Sequence, residues 1–532
     1  MKQFYEIQDF IFESNPTRQD ILAYNKNDNG LKKYSVYVYR NHSFELIEKN
    51  LTPYLDYANL SIDFKYSDYD DSLSFFDLDT NADLIILWLD LSRYDNKNVT
   101  SFIESRLTSL KSMYKKNILL VTFLGEYEII DSQIVNYSID KWKDSFNGNF
   151  QDLRLEKFSG TKMSMALTSF IAKDLGLNYF SSLLRANLKC IILDLDNTLY
   201  KGVLGEDGIQ GVELTQGHNA LQKRISELAL SGFFVCIVSK NDQVDVDNLF
   251  KNRNDFSLKK EHLTIVKASW DPKAVAISEI ATELNIGIDS ILFIDDNLGE
   301  LLSVEQVFPE IKSIFAKDDA NITLDVLNNY PGLFKLGATF EDTLRTTDSQ
   351  ANAERLLIMK NSSKDEFIKQ MEIGFEFLIN PIEDAYRIHE LANKTNQFIF
   401  NYKRYSKSEI EALILSTESV VVAVKVKDKL SESGIVGVII LTKESSGEHA
   451  ILDECFVSCR ALGRGLDNII VDGAIAAGLK KLNMDKLLVS IEKGERNSPA
   501  ISYFEANLEQ FKVPMLFSYT FPTGLVSFIF KE

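Results

Sequence analysis

The sequence predicts a multidomain α/β protein, and three observations carry that expectation. The chain has 532 residues, too many for one ordinary core, which points to roughly three or four domains. Over about the first 335 residues, apolar runs of strand length alternate with amphipathic stretches of helical period. That alternation is the signature of a parallel sheet with helical crossovers. Beyond about residue 373, strand-like runs follow one another through short polar loops, which suggests antiparallel pairing and an α+β domain.

Composition narrows the class. Hydrophobic residues make up 45% and charged ones 25%, the balance of a globular protein. A net charge of -19 argues against nucleic acid as a partner, because backbone phosphates are met by a basic surface. The stretch MKQFYEIQDFIFESNP lacks a basic region followed by an apolar one, so no secretory leader is expected. The longest apolar runs, such as ADLIILWL, fall short of the ~20 residues a membrane helix needs, so no membrane insertion is expected. Four cysteines do not make a disulfide framework. On one strand, Cys455 and Cys459 would stand about 13 Å apart, too far to pair. A cytoplasmic protein fits these readings.

The elements follow in order. KKYSVYVYR, NADLIILWLDLS and KNILLVTFLG read as strands, with SFELIEKNLTPYLDYA and NVTSFIESRLTSLKSMY as helices between them. These make a first α/β segment over residues 1–182. In a second, over 183–335, CIILDLD, FFVCIVS and SILFIDD read as strands and HNALQKRISELALSG as a helix. Residues 336–372 read as a helical bridge. In the last segment, 373–532, the helix DAYRIHELANKT precedes the runs SVVVAVKVKDK, GIVGVIILTKE and AILDECFVS and the long helix GLDNIIVDGAIAAGLKKL.

Ligands of a parallel sheet bind beyond the carboxyl ends of its strands. Asp194 stands at such an end, with Asp196 two residues on and Asn197-Thr198 next. Ser239, Lys240 and Asn241 follow the second strand, Lys273 lies in WDPK before a helix, and Asp295, Asp296 and Asn297 follow the third. Clustered carboxylates are costly to desolvate unless a cation neutralises them, and an all-oxygen set suits Mg²⁺. A lone D-x-D is an ordinary polar strand end. The full order of carboxylates, hydroxyl, lysine and carboxylates points to phosphoryl chemistry.

That order resembles the haloacid dehalogenase superfamily, a Rossmann-like parallel sheet. The resemblance implies Asp194 as nucleophile, Asp196 as general acid/base, Ser239 and Lys273 on the phosphoryl group, and Asp295 with Asp296 at Mg²⁺. The Asp194 carboxylate and the Asp196 carbonyl complete the implied metal set, with Thr198, Lys240, Asn241 and Asn297 near the substrate. About 35 residues separate Asn197 from the next strand, too few for a large cap domain.

In the last segment, SCRALGRGLDN places Arg460, Gly463, Arg464 and Gly465 after a strand and before a long helix, with Asn497 opening a later one. Glycines admit phosphate to the backbone, and a helix amino end favours negative charge. The element order resembles GNAT acyltransferases, which implies coenzyme A or a carrier-bound phosphopantetheine at Arg460, Gly463, Arg464, Gly465 and Asn497. Together, LDLDNTLYKGVLGEDGI, SKND, FIDDN, NKTNQF and SCRALGRG resemble the FkbH-like family over about residues 185–510. Membership implies dephosphorylation of a small phosphorylated three-carbon acid, 1,3-bisphosphoglycerate, and loading of glycerate as a thioester on an acyl carrier protein. The family's Trp-Gly-Gly is here Tyr200-Lys201-Gly202, and Lys201 beside the site bears on phosphate preference.

Cys459 adjoins the glycine loop, where Arg460 and Arg464 favour a thiolate. It is either an acyl-carrying thiol or a packed strand residue, whereas Cys190, Cys236 and Cys455 lie in apolar runs and read as core. Lys394, Thr395, Asn396 and Gln397 line the acyl site or end a solvated helix. In the first segment, Ser43 after the first strand faintly resembles SGNH hydrolases. No histidine stands between Ser43 and residue 217, so a degenerate, non-catalytic relative that docks a carrier or second subunit is expected. Two alternatives stay open: a phosphatase whose GNAT-like part only binds, and a carrier-docking scaffold with relict sites.

Overall fold

In the computed structural model, the residues described are all but 1–2, 15, 27–30, 71, 95–98, 126, 132, 155, 285, 337–350, 352–354, 356–357, 359–363, 396, 446, 459–460, 463–465, 495–496, 508–514, 517–526 and 532. The chain is α/β and divides into two compact units. One comprises Met1–Arg224, Val244–Ser257 and Asp289–Ala338; the other comprises Ile225–Gln243, Leu258–Ile288 and Thr339–Glu532. Residues 183–335 contribute to both.

The first unit opens with a five-stranded sheet: β1 (Lys33–Arg40), β2 (Ser61–Tyr69), β3 (Leu84–Asp90), β4 (Ile118–Phe123) and β5 (Ile134–Ser138), in the order β2-β1-β3-β4-β5. Every pairing is parallel. β3 and β4 are buried along their whole length, as expected of strands covered on both faces. The edge strand β2, SIDFKYSDY, carries polar residues and is largely solvent-facing, which is why its sequence does not announce a strand. Helices Glu45–Tyr57 and Val99–Met113 lie where the apolar periodicity puts them.

The same unit holds three parallel strands, β6 (Cys190–Leu193), β9 (Ile291–Asp295) and β10 (Lys312–Phe315), in the order β10-β9-β6. The side-chain amide of Gln8, on helix Phe4–Phe12, donates to the Phe315 carbonyl at 2.8 Å and accepts from the Phe315 N–H at 3.1 Å. The second unit contains β7 (Phe234–Ser239) paired in parallel with β8 (Ile265–Ala268). Between β6 and β7 the chain forms helices Leu204–Gly211 and Gln216–Leu230, and no cap domain stands there.

Most of the expected bridge lies outside the described residues, but Lys364–Met371 is a helix as predicted. The carboxyl-terminal sheet has seven strands: β11 (Gly374–Ile379), β12 (Ser419–Lys427), β13 (Glu432–Lys443), β14 (Ala450–Val457), β15 (Lys486–Val489), β16 (Met515–Leu516) and β17 (Ser527–Lys531). Their order is β16-β15-β14-β13-β12-β11-β17. β12, β13 and β14 pair antiparallel, as their short loops predict. Helix Asp467–Leu482 lies on the sheet closely enough that a Cβ at Gly437 would meet Ile470 at 2.4 Å. Among the described residues no helix is long and apolar enough to cross a membrane.

Candidate functional site

β6 and β9 are parallel neighbours with Leu193 opposite Ile294, so the residues that follow them leave at the same end. The Asp194 N–H donates to the Ile294 carbonyl at 2.9 Å and extends the ladder by one bond. Asp194 and Asp295 are buried, and with Asp296 they place one carboxylate oxygen each within 4.8 Å of the others. The Asp295 carboxylate accepts from the Asn297 N–H at 2.9 Å. Asn297 is itself the cap of helix Leu298–Val307, its side chain accepting from the N–H of Gly299 and Glu300. Buried Thr198 donates to Asp296 at 3.4 Å.

Three carboxylates this close repel one another. A hard divalent cation removes that cost, and Mg²⁺ ligand oxygens lie about 3–4 Å apart around the ion. The three aspartates fit that demand in chemistry and spacing, and they could hold a metal ion.

Asp196 stands outside this trio. Its carboxylate accepts from the Tyr200 hydroxyl at 2.6 Å and the Leu204 N–H at 2.9 Å. The geometry depends on a tight loop. Asn197 sits at φ 52°, where Asn is tolerated, and its side chain accepts from the Gly202 N–H at 3.0 Å. Gly202 has φ +114°, and a Cβ there would lie 2.7 Å from Asp207 Oδ2. The buried Tyr200 ring stacks on Phe256, and burial together with the Asp196 charge holds its hydroxyl protonated far above the usual range. The sequence marks Tyr200 only as a departure from a family pattern; its role as a donor emerges from the loop. Lys201 is exposed and its ammonium lies 3.7 Å from the equally exposed Glu213.

The other expected phosphoryl contacts lie in the second unit. Ser239 ends β7, is buried, and its hydroxyl accepts from the Asn241 side chain at 3.0 Å. The Ser239 carbonyl accepts from the Ser269 N–H at 3.1 Å, which ties the loop before Lys273 to this strand end. Lys240 follows, half-buried, and Lys273 opens helix Lys273–Leu284 with its side chain buried.

In the carboxyl-terminal domain, Cys459, Arg460, Gly463, Arg464, Gly465 and Asn396 lie outside the described residues. Cys190, Cys236 and Cys455 are buried, as expected of core residues. Burial pushes the Cys455 thiol well up. Asn497 is fully buried. Its amide donates to the carbonyls of Ile399 at 3.0 Å and Glu492 at 2.8 Å, and its oxygen accepts from the Gly494 N–H at 2.9 Å. Both of its donors are therefore held by the main chain, and it stitches loops together where a cofactor contact was expected.

Glu454 was not singled out by the sequence. Its buried carboxylate accepts from the N–H groups of Phe400, Asn401, Lys403 and Cys455 at 2.8–3.1 Å. Burial pushes its carboxyl above the usual range, and the four N–H groups pull the other way. The segment it holds, Phe398–Phe400, lies along the carboxyl half of β14, with Ile399 opposite Phe456. Its three side chains are at most 1% exposed, and their burial is worth roughly 5–9 kcal/mol. An extended pantetheine arm would add to this strand edge, so the residues as arranged do not fit it there.

In the amino-terminal sheet, Ser43 donates to Glu45 at 2.7 Å, and buried His42 is bonded through Nδ1 to Thr161 at 2.9 Å.

No family model matches the chain, and no curated protein matches it. Among solved structures it is similar to the amino-terminal, phosphatase-domain-containing part of a Bacteroides fragilis protein complexed with Mg, at 17% identity and TM-score 0.48, over 64% of this chain and all of that one. A mutant spermidine N-acetyltransferase from Vibrio cholerae matches at 17% identity and TM-score 0.20, over 25% of this chain and 77% of that one. The ribosomal-protein-alanine N-acetyltransferase from Brucella melitensis matches at 14% identity and TM-score 0.20, over 28% and 99%. These are likenesses at low identity, and the function proposed below rests on the residues of this chain.

Proposed function

We propose that the chain is a cytoplasmic, Mg²⁺-dependent phosphatase of the haloacid dehalogenase type fused to a GNAT-like acyltransferase domain, in the manner of the FkbH-like family. The substrate would be 1,3-bisphosphoglycerate, and the product glycerate held as a thioester on an acyl carrier protein. The observation that carries the reading is the meeting of Asp194, Asp295 and Asp296 at one strand end, with Asp196 fixed beside them in sequence by Tyr200 and Leu204.

A carboxylate oxygen of Asp194 attacks phosphorus, the bond to the leaving oxygen breaks, and an aspartyl phosphate forms. Asp196 gives a proton to the departing oxygen and takes one from the water that then attacks phosphorus, which frees phosphate and restores Asp194. Asp194, Asp295 and Asp296 would hold Mg²⁺, which when bound supplies the positive charge that offsets these carboxylates and the phosphoryl oxygens. Ser239 and Lys273 are assigned to the phosphoryl group by motif order, and Cys459 is assigned as the acyl-holding thiol by its place in S-C-R. The amino-terminal domain is assigned to docking the carrier.

Asp194→Asn keeps the shape and removes the attacking charge. It should lower phosphate release by about 10³-fold or more with the fold intact by circular dichroism. Wild-type turnover in the purified variant would overturn the assignment. Mass spectrometry of a carrier protein incubated with enzyme, 1,3-bisphosphoglycerate and Mg²⁺ tests the second half. A simple phosphatase with a binding-only carboxyl-terminal domain is the second reading, favoured by the filled edge of β14; it forecasts phosphate release without loading.

A further inference from the structure

The seven-stranded sheet of the second unit contains a break. β14 and β15 are parallel partners only over Ala450–Leu452, and β14 runs on to Val457 without β15. A strand edge that loses its neighbour offers N–H and C=O groups to any extended amide. A phosphopantetheine arm carries two amides, and such an edge is where it would add to the sheet.

The chain fills this place itself. The Val457 N–H donates to the Phe398 carbonyl at 3.0 Å, and on the far side of the segment the Glu492 N–H donates to the Phe400 carbonyl at 2.9 Å. The segment therefore gives one main-chain carbonyl to β14 and another to Glu492, and it meets β14 at a single antiparallel bridge, Ile399 with Phe456. Its side chains alternate with the same period. Phe398 and Phe400 join Cys455, Val457 and Tyr503 in one hydrophobic cluster, and Ile399 joins Phe456 and Val438 in the other. Glu454 holds Phe400, Asn401 and Lys403 by their N–H groups, and Asn497 holds Ile399 by its carbonyl. Withdrawing the segment would open both clusters at once, take the Phe400 N–H from the buried Glu454 carboxylate, and pull on the adjoining Asn401 and Lys403 donors.

We infer that Phe398–Phe400 is a permanently seated segment that seals the opening between β14 and β15, so that no pantetheine-bearing ligand, free CoA or carrier arm, lies within this sheet. The inference rests on the acyl-transfer reading only for its choice of ligand. A carrier arm that serves this domain then presents its thiol from outside the sheet.

Hydrogen exchange on the full chain tests this, with and without free CoA at about 1 mM, and calorimetry on the same samples reports whether CoA binds. The amides of Phe400, Asn401 and Lys403 should exchange at least about 100-fold more slowly than in an unfolded chain and change less than about twofold with CoA, whether or not heat is seen. Rapid exchange in the free protein overturns the inference, as does CoA binding that deprotects these amides. The measurement is repeated with an acyl carrier protein bearing its arm, with phosphate release and loading followed in parallel. Loading with the three amides still protected supports the sealed opening, and loading that exposes them overturns it. Protected amides with no loading leave the seal standing and count against the acyl-transfer reading alone.

Discussion

Replacing Tyr200 by Phe isolates the contribution of one hydroxyl. The ring is fully buried, so Phe fills the same space and keeps the contact with Phe256. What disappears is the 2.6 Å bond to Asp196, leaving the Leu204 N–H at 2.9 Å on that oxygen. A hydrogen bond to a charged group is worth about 1.5–3 kcal/mol. If Asp196 must hold its angle through both proton transfers, that loss falls on the transition state. At 1.36 kcal/mol per decade it corresponds to a fall of about 10- to 150-fold in kcat. The phenol stays protonated far above neutrality, so the difference between wild type and variant should hold across the working pH range. Steady-state phosphate release from p-nitrophenyl phosphate and from 1,3-bisphosphoglycerate should show the drop in kcat with KM changed less than about threefold, the pattern of a positioning residue. A kcat within a factor of two of wild type, in a variant that melts normally, would refute the role given to Tyr200.

Three other outcomes are expected. Asp295→Asn removes one of the three clustered carboxylates, and Mg²⁺ affinity by titration calorimetry should fall by at least about tenfold, with EDTA abolishing wild-type phosphate release. Gly202→Ala forces a side chain to φ +114° and against Asp207, so it should cost about 1–3 kcal/mol, read as a lower urea midpoint of the first unit. Burial pushes the Asp472 carboxyl up to about 6 from 3.8, with the Tyr503 hydroxyl bond opposing the shift. The folded state therefore binds this proton more tightly than the unfolded one. Its contribution to stability is complete below about pH 3.8 and is lost as pH rises through about 6, up to roughly 3 kcal/mol in all. Asp472→Asn should remove that part of the slope, and equal pH dependence of the urea midpoints of variant and wild type between pH 4.5 and 7.5 would contradict it.

The fully buried strands and the order of motifs on them could be read from the sequence because a covered parallel strand is an unbroken apolar run that ends abruptly in polar residues. β3, β4, β6 and β9 are of this kind, and so the acidic trio was placed correctly at the carboxyl ends of β6 and β9. β2 escaped because an edge strand keeps polar side chains on its open face. β8 and β10 escaped because IVKA and KSIF are only partly buried and each carries a lysine, so neither is an unbroken apolar run like the equally short β6. The Asp196–Tyr200 bond could not be read because it depends on a left-handed Asn197 and on Gly202 closing the loop. The main-chain bonds of Asn497 could not be read for a related reason: its partners, Ile399 and Glu492, come from segments whose proximity only the folded sheet creates.

The pairing of Gln8 with Phe315 has a consequence for colloidal behaviour. A carboxamide offers one donor and one acceptor at nearly the spacing of a peptide group, so Gln8 stands in for a single residue of a missing strand. β10 is the outermost strand of its parallel set in the first unit, and such a rim can template growth with another chain. One side chain, steadied by the ion pairs of Lys317 with Asp9 at 2.7 Å and Glu13 at 3.2 Å, satisfies both main-chain groups of Phe315 and interrupts the row at that point. The helix that carries it thus works as a stopper against cross-molecular strand addition, a duty unconnected with catalysis that the amide of Gln8 performs and a Leu in its place would not.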